Sequence, residues 1–156
     1  MNINHTCCFF GHRTSPKTEE LKKQLSGIIE NLIITEKVDT FLLGSKSNFN
    51  DLCLETLTEI KEKYPNIKRV YVRAEYPNIN DEYKKYLLKS YEDTYFPKNI
   101  IGAGRSVYIK RNCEMINNSK FCIIYYNEQH LPKTRKSGTK IALDYAKKQG
   151  KNIYIL

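Results

Sequence analysis

Four consecutive residues near the C-terminal end, Ser137, Gly138, Thr139 and Lys140, combine two hydroxyls, a glycine and an ammonium group. Backbone N–H groups in the first turn of a helix attract anions, and hydroxyl and lysine side chains add donors there. The Gly-x4-Gly-Lys-Ser/Thr pattern is absent, so the four residues read as a phosphate cradle or a plain helix cap and not as an ATPase loop. Gly11-His12-Arg13 is a second candidate. Gly11 allows a close backbone approach or simply a turn, and Arg13 meets a phosphate or pairs with a carboxylate that anchors its loop. Gly44-Ser45-Lys46-Ser47 is the third. Ser45 suits a hydrogen bond to a ribose hydroxyl, but no base is visible to make it a nucleophile. Arg111 interrupts an apolar helix face and has two readings, a phosphate ligand or the partner of a buried acid.

Each of the three glycine-bearing segments follows a run of strand character and precedes a helical pattern. Thr6 to Phe10 is apolar almost throughout, as a central strand requires. Ser15 is the expected N-cap of the helix after it, with Pro16 in the first turn and Leu21, Leu25, Ile28, Ile29, Leu32 and Ile33 as its apolar face. Val38 to Leu43 is the second strand. The helix beyond it is capped by Ser47 or Asn48, buries Phe49, Leu52, Cys53, Thr56, Leu57 and Ile60, and ends at Tyr64-Pro65. Lys68 to Ala74 is a third strand with Val70 and Val72 inward, followed by a helix over Asp81–Tyr91.

Residues 92–103 show no period and read as a loop whose aromatic residues seal the core edge or stack on a base. Gly104 to Asn118 reads as a helix with Val107, Tyr108, Met115 and Ile116 as its apolar positions. Lys120 to Tyr126 is the next buried strand. The helix starting near Ser137 ends with Lys147 and Lys148 in its last turn and Gly150 at the left-handed cap. Ile153 to Leu156 closes the chain as a strand. Repeated strand–helix units predict a single α/β domain, 1–156: a Rossmann-like, doubly wound, mainly parallel five-stranded sheet. In such sheets ligands sit at the carboxyl ends of the strands.

Net charge is +9 and the pI is near 9.2, a balance that favours nucleic acid, phosphorylated small molecules or solubility alone. Basic residues concentrate only at Arg105–Arg111 and Lys133–Lys140, neither long enough for a nucleic-acid arm. Five cysteines, an odd number without CxxC spacing, predict buried reduced thiols. His5, His12 and His130 are scattered, so no metal site is expected. No apolar run is long enough to cross a bilayer, and Asn2, Asn4, His5 and Thr6 break any N-terminal hydrophobic stretch. The chain reads as cytoplasmic.

Cys8-Phe9-Phe10-Gly11-His12-Arg13, the strand ending Leu43-Gly44-Ser45, Arg111-Asn112-x-x-Met115-Ile116-x-x-Ser119, and Ser137-Gly138-Thr139 with Tyr145-Ala146-x-x-x-Gly150-Lys151 occur in that order. Together they resemble the YpsA-like branch of the SLOG superfamily, which groups the Smf/DprA proteins with the LOG phosphoribohydrolases. The resemblance implies a Rossmann-like domain that binds nucleotides or nucleotide-derived, NAD-related signals, with stress or phage-defence signalling as its setting. Gly44 to Asn50 keeps the first glycine and the phenylalanine of the relatives' Gly-Gly-x-x-Gly-Phe-Asp, with Asn50 in place of the aspartate. After Ser137-Gly138-Thr139 the phosphoribohydrolases carry acidic residues, where this chain has Lys140, Ile141 and Ala142.

The expected function is therefore binding, as a sensor or sequestering protein. The ligand is a nucleotide or nucleotide-derived phosphate ester, held by Gly11, His12, Arg13, Gly44, Ser45, Ser47, Arg111, Ser137, Gly138, Thr139 and Lys140. No catalytic residue, cofactor or metal is assigned. A phosphoribohydrolase is the alternative; it needs a carboxylate against the sugar, for which Asp144, Glu75, Asp51 and Glu114 are the candidates. A nucleic-acid adaptor of the Smf/DprA kind is a third reading. A homodimer paired through helices is the expected assembly, with no membrane partner.

Overall fold

The computed structural model describes residues 1–127 and 137–156. Six strands form one wholly parallel sheet: β1 (Thr6–Gly11), β2 (Thr40–Leu43), β3 (Lys68–Val72), β4 (Asp93–Tyr95), β5 (Phe121–Tyr125) and β6 (Asn152–Ile155). Their order is β4-β3-β2-β1-β5-β6. The chain steps outward from β1 to β4, then returns to the other side of β1 with β5. That reversal between β1 and β5 is the switch point of a doubly wound sheet. The helices are α1 (Glu19–Glu36), α2 (Asn48–Lys63), α3 (Asp81–Leu87), α4 (Val107–Asn117) and α5 (Gly138–Lys148).

Period-two alternation divides the central strands between two cores. Cys7, Phe9, Phe41, Leu43, Phe121 and Ile123 face one side and pack with Leu25, Ile29 and Leu32 of α1 and Phe49, Cys53 and Leu57 of α2. Cys8, Phe10, Leu42, Cys122 and Ile124 face the other and meet Met115 and Ile116 of α4 and Ala142, Leu143 and Ala146 of α5. With both faces covered, the central strands are apolar at nearly every position. Four of the five thiols are buried, Cys113 is half-buried, and all are free. Burial pushes the Cys7, Cys8 and Cys53 thiols well above their ordinary value. Among the described residues no helix is long and apolar enough to cross a membrane.

Several elements differ from the sequence expectation. The cap of α1 is Thr18, whose hydroxyl accepts from Leu21 N at 3.1 Å, so the helix begins after the Ser15-Pro16 pair. Ser15 lies in the loop, buried, with no hydrogen-bond partner for its hydroxyl. The helix expected over Asp81–Tyr91 closes at Leu87. Gly104–Ser106 is a short 3-10 turn and α4 begins at Val107. Tyr108 is 48% exposed, while Arg111 takes the buried position one turn later.

The sheet has six strands where the sequence predicts five, because β4 lies within residues 92–103. β4 spans three residues, too few to display a period, and tertiary contacts hold it. Thr94 Oγ1 donates to Tyr71 O at 2.8 Å and accepts from Arg73 at 3.0 Å. Beside it, Glu92 accepts from the Arg69 backbone N at 2.7 Å, from the Arg69 guanidinium at 2.8 and 3.1 Å, and pairs with Lys61 at 3.2 Å. Of the aromatic residues of this segment, Tyr95 packs against the second cluster.

Burial alone would raise the Glu92 carboxyl, but Arg69 and Lys61 outweigh it and hold the pKa at about 2 against an ordinary 4.5. A depressed folded-state pKa means that this stabilisation is complete above the unfolded value and lost as pH falls from about 4.5 to about 2. The carboxylate is a quarter exposed, which screens the effect to on the order of 1 kcal/mol. Glu92→Gln is expected to lose about that much stability at neutral pH and to flatten the acid limb of the stability–pH curve over that interval, as urea titrations would show.

Candidate functional site

Gly11 ends β1, in register with Tyr125 of β5. Gly44 directly follows β2, which pairs with β1 through Cys8 and Leu42. Gly138 opens α5, the helix that follows β5. All three glycines therefore lie on the carboxyl edge of the sheet, at or beside the switch point. Hydrogen bonds and ring contacts link the segments. Asn48 N donates to Arg13 O at 3.0 Å, which ties the β1 loop to the start of α2. His12 is buried, its Nε2 accepts from Asn127 N at 2.8 Å, and its ring lies 5.6 Å from that of Tyr126. His12 thus joins the tips of β1 and β5. Lys140 Nζ sits 5.5 Å from the Tyr126 ring centroid, which brings the start of α5 to the same tip.

Two helix N-termini open on this edge. Ser47 caps α2, its hydroxyl accepting from Asn50 N at 3.0 Å, and Ser45 Oγ lies 3.0 Å from Ser47 Oγ. Ser137 caps α5 by accepting from Lys140 N at 3.0 Å; Gly138 is exposed and Thr139 buried beside it. Asn50 is buried. A neutral amide there avoids the cost of burying a carboxylate. Arg13 is exposed, and its guanidinium makes no ion pair with a described residue.

Arg111 places a buried cation at this edge. It is 4% exposed, donates to the Gly44 carbonyl and to Asn112 Oδ1, and no described carboxylate pairs with it. Its Cζ lies 5.7 Å over the Tyr108 ring. Burial lowers the pKa of the guanidinium, opposed by nearby Tyr71, Tyr108 and Glu75, yet an arginine stays charged in a protein. A buried cation that no described carboxylate touches directly raises the local potential and favours an anion arriving at the same place. Gly44 is required for this packing: a Cβ there would lie 3.0 Å from Met115 Sδ and 3.1 Å from Arg111 Cδ.

The edge also brings together residues that the sequence reading did not connect. Glu75, just past β3, accepts a hydrogen bond from Tyr108 OH and lies 3.7 Å from Lys46 Nζ. The Tyr108 hydroxyl holds the Glu75 carboxyl below its usual range, and Glu75 in turn pushes the Tyr108 phenol up. Asp144, another of the four carboxylates considered for chemistry, pairs with Lys140 at 3.1 Å. Among the described residues no three His, Cys, Asp or Glu side chains gather as a metal site. Lys133, Arg135, Lys136 and His130 lie outside the described residues.

Two open hollows are lined by none of the expected ligand-binding residues. One, about 410 Å³, is lined by Asp51, Leu54, Glu55, Thr58 and Glu59 on α2, and its three carboxylates repel anions. The other, about 580 Å³, lies between α1 and β6.

A doubly wound parallel sheet with its polar loops gathered at the switch point defines a Rossmann-like domain. The YpsA family model, described as the YspA SLOG family, matches residues 4–156. The chain belongs to this SLOG family, as its four sequence motifs suggest. A comparison with curated proteins found no match.

Proposed function

We propose that the carboxyl-edge crevice binds a nucleotide or nucleotide-derived phosphate ester, and that the protein acts as its sensor or sequestering partner. The observation that carries this reading is Arg111, a buried guanidinium without a described carboxylate, held at the tip of β2. A phosphate supplies the missing charge and accepts the guanidinium's donors. In this reading Gly11–Arg13, Ser45 and Ser47, and Ser137–Lys140 contribute hydroxyls, amide hydrogens and further cations. SLOG membership supports a nucleotide-related role. The binding reading places no demand on Glu75 or Asp144, both engaged with cations.

Thermal-shift measurements with AMP, ADP, NAD and cyclic ADP-ribose test the reading. A ligand at a hundred times its dissociation constant stabilises by about 2.7 kcal/mol, and for a chain of this size that raises Tm by roughly 5–10 °C. No stabilisation by any of them at millimolar concentration contradicts the proposal. Release of free base from AMP during the same incubation would move the assignment to a hydrolase.

A further inference from the structure

We propose that Tyr76 and Tyr83 form a stacking wall for the base of a bound nucleotide, so that the crevice selects base-bearing ligands over sugar phosphates. The inference rests on the nucleotide reading above and adds the part of the ligand that the phosphate site does not recognise.

Tyr76 is 59% exposed and has φ +59°, in the left-handed region that side chains rarely adopt. Burial does not explain this conformation, because the ring faces solvent. The loop is nevertheless held: the buried Arg73 donates from Nε to Tyr76 O at 3.2 Å and from its terminal nitrogen to Pro77 O at 3.4 Å. Asn80 caps the next helix by accepting from Tyr83 N at 2.8 Å, which sets Tyr83 beside Tyr76. The two rings meet edge to face, their centroids 6.1 Å apart. Tyr86, 66% exposed, continues the row 6.2 Å from Tyr83.

The wall connects with the proposed phosphate site. Arg111 lies over Tyr108, Tyr108 bonds Glu75, and Tyr76 is the next residue in the chain. Lys46, from the loop that begins at Gly44, pairs with Glu75 from the opposite side. Lys46, 3.7 Å from Glu75, lies close enough to Tyr76 and Tyr83 to interact with them electrostatically. Rings beside an ammonium group complement a planar aromatic base with an anionic tail. Base–aromatic stacking tolerates any base, since each presents a π-face.

The test uses the full chain and three probes: AMP, ribose 5-phosphate and inorganic phosphate. The chain has twelve tyrosines and no tryptophan, so tyrosine fluorescence reports stacking directly, with calorimetry for affinity. AMP is expected to bind about tenfold more tightly than ribose 5-phosphate and to quench the emission. Tyr76→Gly with Tyr83→Ala should bring AMP to the affinity of ribose 5-phosphate and leave ribose 5-phosphate unchanged. Tyr76→Gly alone should fold at least as stably as the parent, because glycine accepts a positive φ. Equal affinities for AMP and ribose 5-phosphate in the parent, or undiminished AMP binding in the double variant, overturn the wall and leave the phosphate site standing. Failure of all three probes to bind overturns both.

Discussion

Replacing Arg111 by methionine is expected to lower the affinity for AMP by roughly 10- to 100-fold and to leave the fold nearly as stable as the parent. The affinity loss follows from deleting charge-assisted hydrogen bonds to a phosphate, each worth about 1.5–3 kcal/mol. The small stability change follows from two opposing effects. Methionine leaves the Gly44 carbonyl without its donor, but it also removes a buried charge that no described carboxylate contacts directly. Apolar replacements of buried charges of similar volume are often neutral or stabilising, so a net change within about 1 kcal/mol is expected. Calorimetric titration with AMP, alongside urea denaturation, separates the two quantities. If Arg111 served only to pin α4 to β2, the variant would lose several kcal/mol and bind AMP as before.

Gly11→Ala is expected to cost about 3 kcal/mol and to lower Tm by roughly 6–12 °C. A Cβ at Gly11 would overlap Cβ, Cγ and Cδ2 of Phe49. Phe49 has no room to retreat: it is fully buried and its ring stacks on Tyr125 at 5.8 Å. Tyr125 in turn pairs with Gly11 in the sheet. The strain therefore falls on the junction of β1, β5 and α2, where the crevice opens. Differential scanning calorimetry measures the effect; a change in Tm below about 2 °C would show that the junction yields more easily than its packing implies.

The two cores were legible because each rests on periodic patterns in contiguous residues. Cys7 to Phe10 alternates between them, and the apolar set from Phe49 to Ile60 is buried as its spacing predicts. The left-handed backbone at Gly150 and the caps at Ser47 and Ser137 are local chemistry and were equally readable. β4 was not, since three residues carry no period and their stability comes from Arg69, Arg73 and Thr94 meeting across strands. Thr18 overtook Ser15 as a cap for a related reason: both are good capping residues, and only the path of the loop decides between them.

On the site, the glycine-bearing segments announced themselves as interruptions between strand and helix. Arg111 did so by breaking an apolar face. Glu75 and Tyr108 stand 33 positions apart, and Lys46 joins them from a third element. No spacing in the sequence encodes a meeting of that kind. Tyr76 precedes a proline, a context that favours extended backbone, so its positive φ ran against the local signal.

The most direct measurement is a crystal structure of the protein soaked with millimolar AMP. The phosphate is expected within hydrogen-bond distance of the Arg111 guanidinium, between the loops that begin at Gly11 and Gly44 and the first turn of α5. AMP seated instead in the hollow between α1 and β6, or a carboxyl edge that stays empty while AMP binds elsewhere, would contradict it.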